Sequence, residues 1–196
     1  MSFTPSRLFL GILTFIIVAF LYRSSPTTAI MSSNNTPGPL ANLEVKIEQS
    51  PTSSSPPKLI ASITNNNQKT VSILDYSSPL DSLIVALGIV ELTPHGAKEP
   101  VQLDKIAVNR LWPPKLDFLV EIAPGETATK EIEFKERAVP MDKLGKKFTA
   151  QLKGQWMAVW EKPKSDIDEK ELDSVIDVEG IYRGDFTSNK AEFNLD

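Results

Sequence analysis

The chain has 196 residues, with 21 Lys and Arg, 25 Asp and Glu, one His, three Trp and no Cys. The missing cysteines exclude disulfides and thiolate-held zinc, and a single histidine excludes a His-Glu-x-x-His metal site. Residues 24–196 hold 19 basic against all 25 acidic residues, a net −6 that argues against nucleic acid as a partner.

Residues 8–22, LFLGILTFIIVAFLY, are uncharged and almost wholly apolar, with Arg7 before them and Arg23 after. Arg7 and the free amine favour a cytoplasmic N-terminus, which sends the rest of the chain into the secretory lumen. Residues 1–23 therefore read as a signal anchor or a signal peptide, an apolar helix in either case. Thr27-Thr28-Ala29 is the cleavage candidate, and Arg23 directly after the apolar run suits an uncleaved anchor. Residues 24–42 have the Ser/Thr/Pro make-up of a flexible linker. Within them Asn34-Asn35-Thr36 matches the N-glycosylation acceptor pattern, with Asn34 as the candidate.

Residues 43–196 read as one domain, large enough to bury a core without staples. Leu43, Val45 and Ile47 alternate with charged residues as a first strand. Leu59, Ala61 and Ile63 make a second, ended by Asn65-Asn66-Asn67, and Val71 and Ile73 begin a third. Residues 83–90, LIVALGIV, read as a central strand from their β-branched content, although a short buried helix has the same apolar look. Residues 101–108 continue as another strand, and Pro113 and Pro114 make residues 110–115 a loop.

The centre of the chain is residues 116–134. Leu116, Phe118, Val120 and Ile122 alternate with Asp117, Leu119 and Glu121, Pro124-Gly125 sets a type II turn, and Ile132 and Phe134 return. This pattern predicts a β-hairpin. Further on, residues 139–145 form a helical turn or a loop, and Phe148, Ala150 and Leu152 another strand leading to Trp156 and Trp160. Residues 164–174 are a charged excursion in which Ser165 and Asp168, at capping-box spacing, allow a short helix. Residues 175–181 and 191–195 close the fold as strands. The expected fold is all-β, an immunoglobulin-like antiparallel β-sandwich of about seven to nine strands.

Chemistry is sparse. His95 sits in a Pro-Gly turn, the usual place for a surface histidine. Asp166, Asp168, Glu169, Glu171 and Asp173 lack the order of a calcium loop and read as a solvated acidic segment. Arg183-Gly184-Asp185 spells an adhesion tripeptide at what reads as a turn, a weak motif by itself. Trp112, Trp156 and Trp160 offer either a sugar-stacking platform or core filling, the second being the commoner use. No catalytic, cofactor-binding or metal-binding residues are assigned, and no cofactor is expected.

The succession LEVKIEQ, LIASITNNNQKTVSIL, IVELTPHGAKEPVQLDKI, LVEIAPGETATKEIEF and GIYRGDFTSNKAEFNL resembles the N-terminal pro-domain of the fungal deuterolysin-type zinc metalloproteases. That pro-domain has a Pro-Gly-Glu hairpin and ends in a Tyr-x-Ser-Asn-like segment, near which Tyr182 and Ser188-Asn189 stand here. The likeness covers residues 43–195. In that family a catalytic domain follows; with one histidine and no cysteine, none of its zinc ligands carries over. The resemblance implies a non-catalytic lumenal or extracellular module that binds a protein such as a secreted protease, as a trans-acting folding helper or inhibitor. Residues 110–115 and the strand edges are the surfaces it would use. The alternatives are a structural or carbohydrate-binding cell-surface module tethered through residues 8–22, and a truncated metalloprotease gene product.

Overall fold

A computed structural model of the protein describes residues 38–51, 56–135, 138–174 and 178–195. The expected N-terminal helix, its cleavage site and Asn34 lie outside these residues. Nine strands are described, in two antiparallel sheets. The first sheet runs β1 (Leu43–Gln49), β2 (Lys58–Asn65), β6 (Thr127–Glu133). The second is built around the long β7 (Lys147–Trp160), with β3 (Val71–Leu74), β4 (Val90–Pro94), β8 (Ile181–Thr187) and β9 (Ala191–Asn194) paired to it and β5 (Leu119–Ile122) paired to β3.

Alternation in the sequence becomes alternation in burial. Leu43, Val45 and Ile47 of β1 face inward beside Leu59, Ala61 and Ile63 of β2. Against them pack Ile73, Leu92, Ile122, Phe148 and Leu152 of the second sheet. Phe134, Phe148 and Phe193 form an aromatic centre, with the last two stacked at 4.9 Å between centroids. A smaller second core gathers Leu74, Tyr76, Leu119, Trp160, Ile167 and Leu172. Such burial is the dominant favourable term in folding.

Several expected elements come out differently. Residues 116–134 are not a hairpin, because β5 pairs with β3 while β6 pairs with β2 in the other sheet. The turn itself is as read: Glu126 N–H donates to Ala123 O at 3.1 Å, and Gly125 takes φ 77°. Asn65 then decides the partner, since its N–H donates to Glu126 O and its C=O accepts from Gly125 N–H. The chain is thereby laid onto β2 instead of folding back on β5. The expected inner face also shifts: Leu116–Phe118 form a 3-10 turn with Leu116 exposed, and Leu119 is buried where Val120 is only partly so.

Residues 82–88 are successive turns, not a strand. Asp81 caps their start through Leu83 N–H, and Gly88 at φ 68° ends them, so start and stop signals override the β-branched content. Residues 101–108 are irregular, tied by Val101 N–H to Leu92 O and Ile106 N–H to Ala86 O. Their apolar alternation slips at Lys105, leaving no continuous inner face. The short helix α1 spans Met141–Leu144. In the charged excursion the capping box joins Asp168 to Glu171 and opens α2 (Glu169–Asp173), one turn beyond the expected Ser165 start. The closing strand β8 starts only at Ile181, and Arg183-Gly184-Asp185 lies inside it, with Gly184 paired to Trp156, not at a turn. A Cβ on Gly184 would come within 2.9 Å of Leu40, so glycine there answers a close approach by the 3-10 turn Pro39–Asn42.

Strands β8 and β9 are one interrupted strand along β7. Thr187 pairs with Lys153 and Ala191 with Ala150, so residues 188–190 oppose only two residues of β7. At this bulge Asn189 turns its amide across to the first sheet, accepting from Ile47 N–H at 2.8 Å and donating to Ile47 O at 3.0 Å. Gln49 does the reverse, bonding both N–H and C=O of Asn194. Two side-chain amides thus stand in for a ladder between β1 and β9. We expect Asn189→Ala to cost about 1–3 kcal/mol by stranding both groups of Ile47. Thermal unfolding would register this at roughly 2–4 °C per kcal/mol, and an unchanged midpoint would refute the role.

Candidate interaction surface

The long connection between β4 and β5 carries the most distinctive surface. Ile106, Leu111, Trp112 and Leu116 are 56, 49, 41 and 41% exposed, and they are the exposed large hydrophobic side chains among the described residues. All four fall within eleven consecutive positions. Singly exposed apolar residues need no explanation, but a local concentration does.

The loop is held from beneath. Asp81, only 2% exposed, accepts from the Arg110 guanidinium and from the N–H groups of Ser77 and Leu83. Arg110 also lies over the Tyr76 ring, 4.8 Å from its centroid, as a cation–π contact. Tyr76 donates its hydroxyl to Leu111 O at 3.4 Å and packs on Phe118. Trp112 Nε1 donates to Asp173 O at 3.3 Å, and Pro114 is buried. Charge is thus spent inward while Leu111 and Trp112 are turned out.

Beside this anchor, burial pushes the Asp75 carboxyl above its usual range; Lys130 at 3.6 Å opposes that rise, and Asp81 adds to it. Burial likewise raises the Tyr76 hydroxyl.

The strand registers place this surface at the side of the second sheet, where β7 passes from its pairing with β3 to its pairing with β4. Leu74 pairs with Leu119, so Tyr76 and residues 111–118 lie beyond the last rung of β3 and β5. Val71 pairs with Ile122 at the opposite end. There the Asn65–Asn67 turn meets residues 39–42, since Asn67 Nδ2 donates to Pro39 O and Asn42 donates to Asn67. Residues 111–118 therefore adjoin the end of the β3–β5 ladder that is turned away from the point where the chain enters the domain.

Other residues singled out in the sequence are not assembled into a site. His95 is exposed in the turn after β4, its N–H bonded to Lys147 O. Trp156 and Trp160 are buried at 3 and 0%, so the three tryptophans form no common platform. Asp168 and Glu171 are occupied by the helix cap, and Glu171 also takes Lys162 at 2.7 Å. Among the described residues no three His, Asp or Glu side chains are grouped to hold a metal. Clefts of about 280 and 530 Å³ flank Pro100, and one of about 490 Å³ follows the β1–β9 seam. None of these three is lined by His95.

A family model for the immunoglobulin-like domain matches residues 42–195. A protein of Arthroderma benhamiae (strain ATCC MYA-4681 / CBS 112371), described as an uncharacterized secreted protein, is 30% identical over 141 residues. That match spans 71% of this chain and 69% of the relative.

Proposed function

The chain belongs to the immunoglobulin-like domain family, and from that premise we propose that it is a non-catalytic extracellular module that binds another protein through residues 106–116. The observation that carries this reading is the exposure of Ile106, Leu111, Trp112 and Leu116 within eleven positions of a loop held by the Arg110–Asp81 ion pair. Pre-ordering lowers the entropy lost on binding, and tryptophan is enriched among the residues that dominate interface energy. The extracellular placement draws on the apolar residues 8–22 and on the secreted relative.

For the partner we take a secreted zinc metalloprotease, following the likeness of residues 43–195 to deuterolysin-type pro-domains. The module would act in trans as a folding helper or inhibitor. The protein, bearing Leu111→Ser and Trp112→Ala in parallel samples, is mixed with a deuterolysin-type catalytic domain and binding is followed by calorimetry. Wild type should bind, and each variant should weaken binding by about tenfold or more, the effect of at least 1.4 kcal/mol. Leu111 and Trp112 are 49 and 41% exposed, so the unfolding midpoints should fall less than for a core truncation, and binding is compared at temperatures where every variant is folded. Failure of the wild-type protein to bind or inhibit such proteases removes the partner; equal binding by the variants removes the surface.

A further inference from the structure

A sheet edge is a template for another strand, and folded proteins block it in recognisable ways. Four of the edges here are blocked by the backbone or by local side chains. The outer edge of β1 is occupied by the amides of Asn189 and Gln49. That of β4 ends in Pro94 and takes Val101 N–H on Leu92 O. Strand β5 has only four residues. Strand β8 has a register irregularity against β7 between Trp156 and Val159 and a bulge after Thr187.

Strand β6 differs. It has seven residues, TATKEIE, no proline, and an unshifted register with β2 from Thr127 to Glu133. It lies at the end of its sheet. Asn65 N–H on Glu126 O and Phe134 N–H on Pro57 O bracket its ladder, so even-numbered residues bond toward β2 and odd-numbered ones point away. The inward-facing side chains are Ala128, Lys130 and Ile132, opposite the buried Ile63, Ala61 and Leu59. Lys130 is thus a charge aimed into the sandwich from an edge strand, 36% exposed and 3.6 Å from Asp75.

A second copy added antiparallel about Lys130 would meet little other resistance. Thr129 would face Glu131, Thr127 would face Glu133, and Ala128 would face Ile132. Only Lys130 would meet its own kind, at a non-hydrogen-bonded pair where Cα atoms come within about 4.5 Å. The added strand would also strip water from two ammonium groups whose Asp75 partners are too distant for a strong bond.

We infer that Lys130 guards the β6 edge, keeping this domain from pairing with another copy of itself. The test is sedimentation velocity of the whole protein as wild type, Lys130→Thr, Lys130→Val, and Lys130→Val combined with Thr129→Pro. The second change places proline where the N–H points away from β2, so it blocks pairing and spares the ladder. Wild type should run as a monomer, and Lys130→Val should shift to dimer or larger species as concentration rises, with Lys130→Thr following more weakly. The double variant should return to monomer. A folded Lys130→Val that stays monomeric overturns the proposal, as does association that persists in the double variant or that wild type already shows.

Discussion

Asn65→Ala should cost about 3–4 kcal/mol, more than an ordinary surface turn change, because several buried groups lose partners together. The Asn65 side chain is fully buried. Its Nδ2 donates to Lys69 O and Ile122 O, both at 2.9 Å, while Oδ1 accepts from Asn67 N–H and Asn67 Nδ2. Asn67 passes the network on to Pro39 and Asn42. One amide therefore joins the β2–β3 turn, the end of β5 and the entry of the chain. Asn65→Asp should do more damage, since it turns an acceptor toward two carbonyl oxygens and adds a buried charge. Asn67→Ala should cost less, and the pair should be non-additive by about 0.5–3 kcal/mol, as expected within one hydrogen-bond network. Urea unfolding of the three variants and the double mutant measures all of this. Additive costs, or an Asn65→Ala loss below about 1 kcal/mol, would show that the network does not hold the turn.

What the residues disclose on their own follows from the range of the interaction involved. Inward and outward positions of β1, β2 and β6 were readable because a strand alternates with its own neighbours, whereas in β5 the same pattern put Leu119 on the wrong face. The partner of each strand was not readable, since β6 is drawn to β2 by Asn65, more than sixty positions earlier in the chain. The triple asparagine reads as turn chemistry, which is correct for Asn66 and incomplete for Asn65 and Asn67. Nothing local distinguishes an asparagine bonding its own turn from one bonding Ile122. Residues 82–88 carried their own stop and start in Gly88 and Asp81, and the apolar composition between them outweighed those signs.

The candidate surface was half legible. Two adjacent prolines marked residues 110–115 as a loop outside any ladder, and Leu111-Trp112 beside them is an unusual composition for a solvated connection. That Arg110 points inward instead of outward depends on Asp81, 29 residues away, which no pattern in either segment announces. The adhesion tripeptide misled in the opposite way: its glycine suits a turn, yet Gly184 makes room for Leu40 in the middle of a strand.

Asp81→Ala should destabilise the domain by about 3 kcal/mol and also weaken the binding proposed for residues 106–116, although Asp81 itself is only 2% exposed. The carboxylate holds Ser77 N–H at 2.8 Å and Leu83 N–H at 2.9 Å, and Ser77 sits at φ 59°, a conformation unfavourable for serine without such support. Removing it strands those two donors and the Arg110 guanidinium together. The cost lies at the low end for a broken buried pair because Arg110 retains 25% exposure and can turn to water. If it turns, Leu111 and Trp112 lose their fixed platform and binding must bear the cost of ordering the loop. Amide exchange should therefore speed up at Ser77, Leu83 and Ile106 while the β7 core keeps its protection. Asp81→Leu combined with Arg110→Met should recover only the part of the loss that comes from the unpaired Arg110 charge, since the N–H groups of Ser77 and Leu83 still lack an acceptor. That double variant separates packing from ordering: to the extent that it restores loop protection, it should restore binding too. Binding that stays at wild-type strength in Asp81→Ala would mean that the loop's order does not matter to its partner.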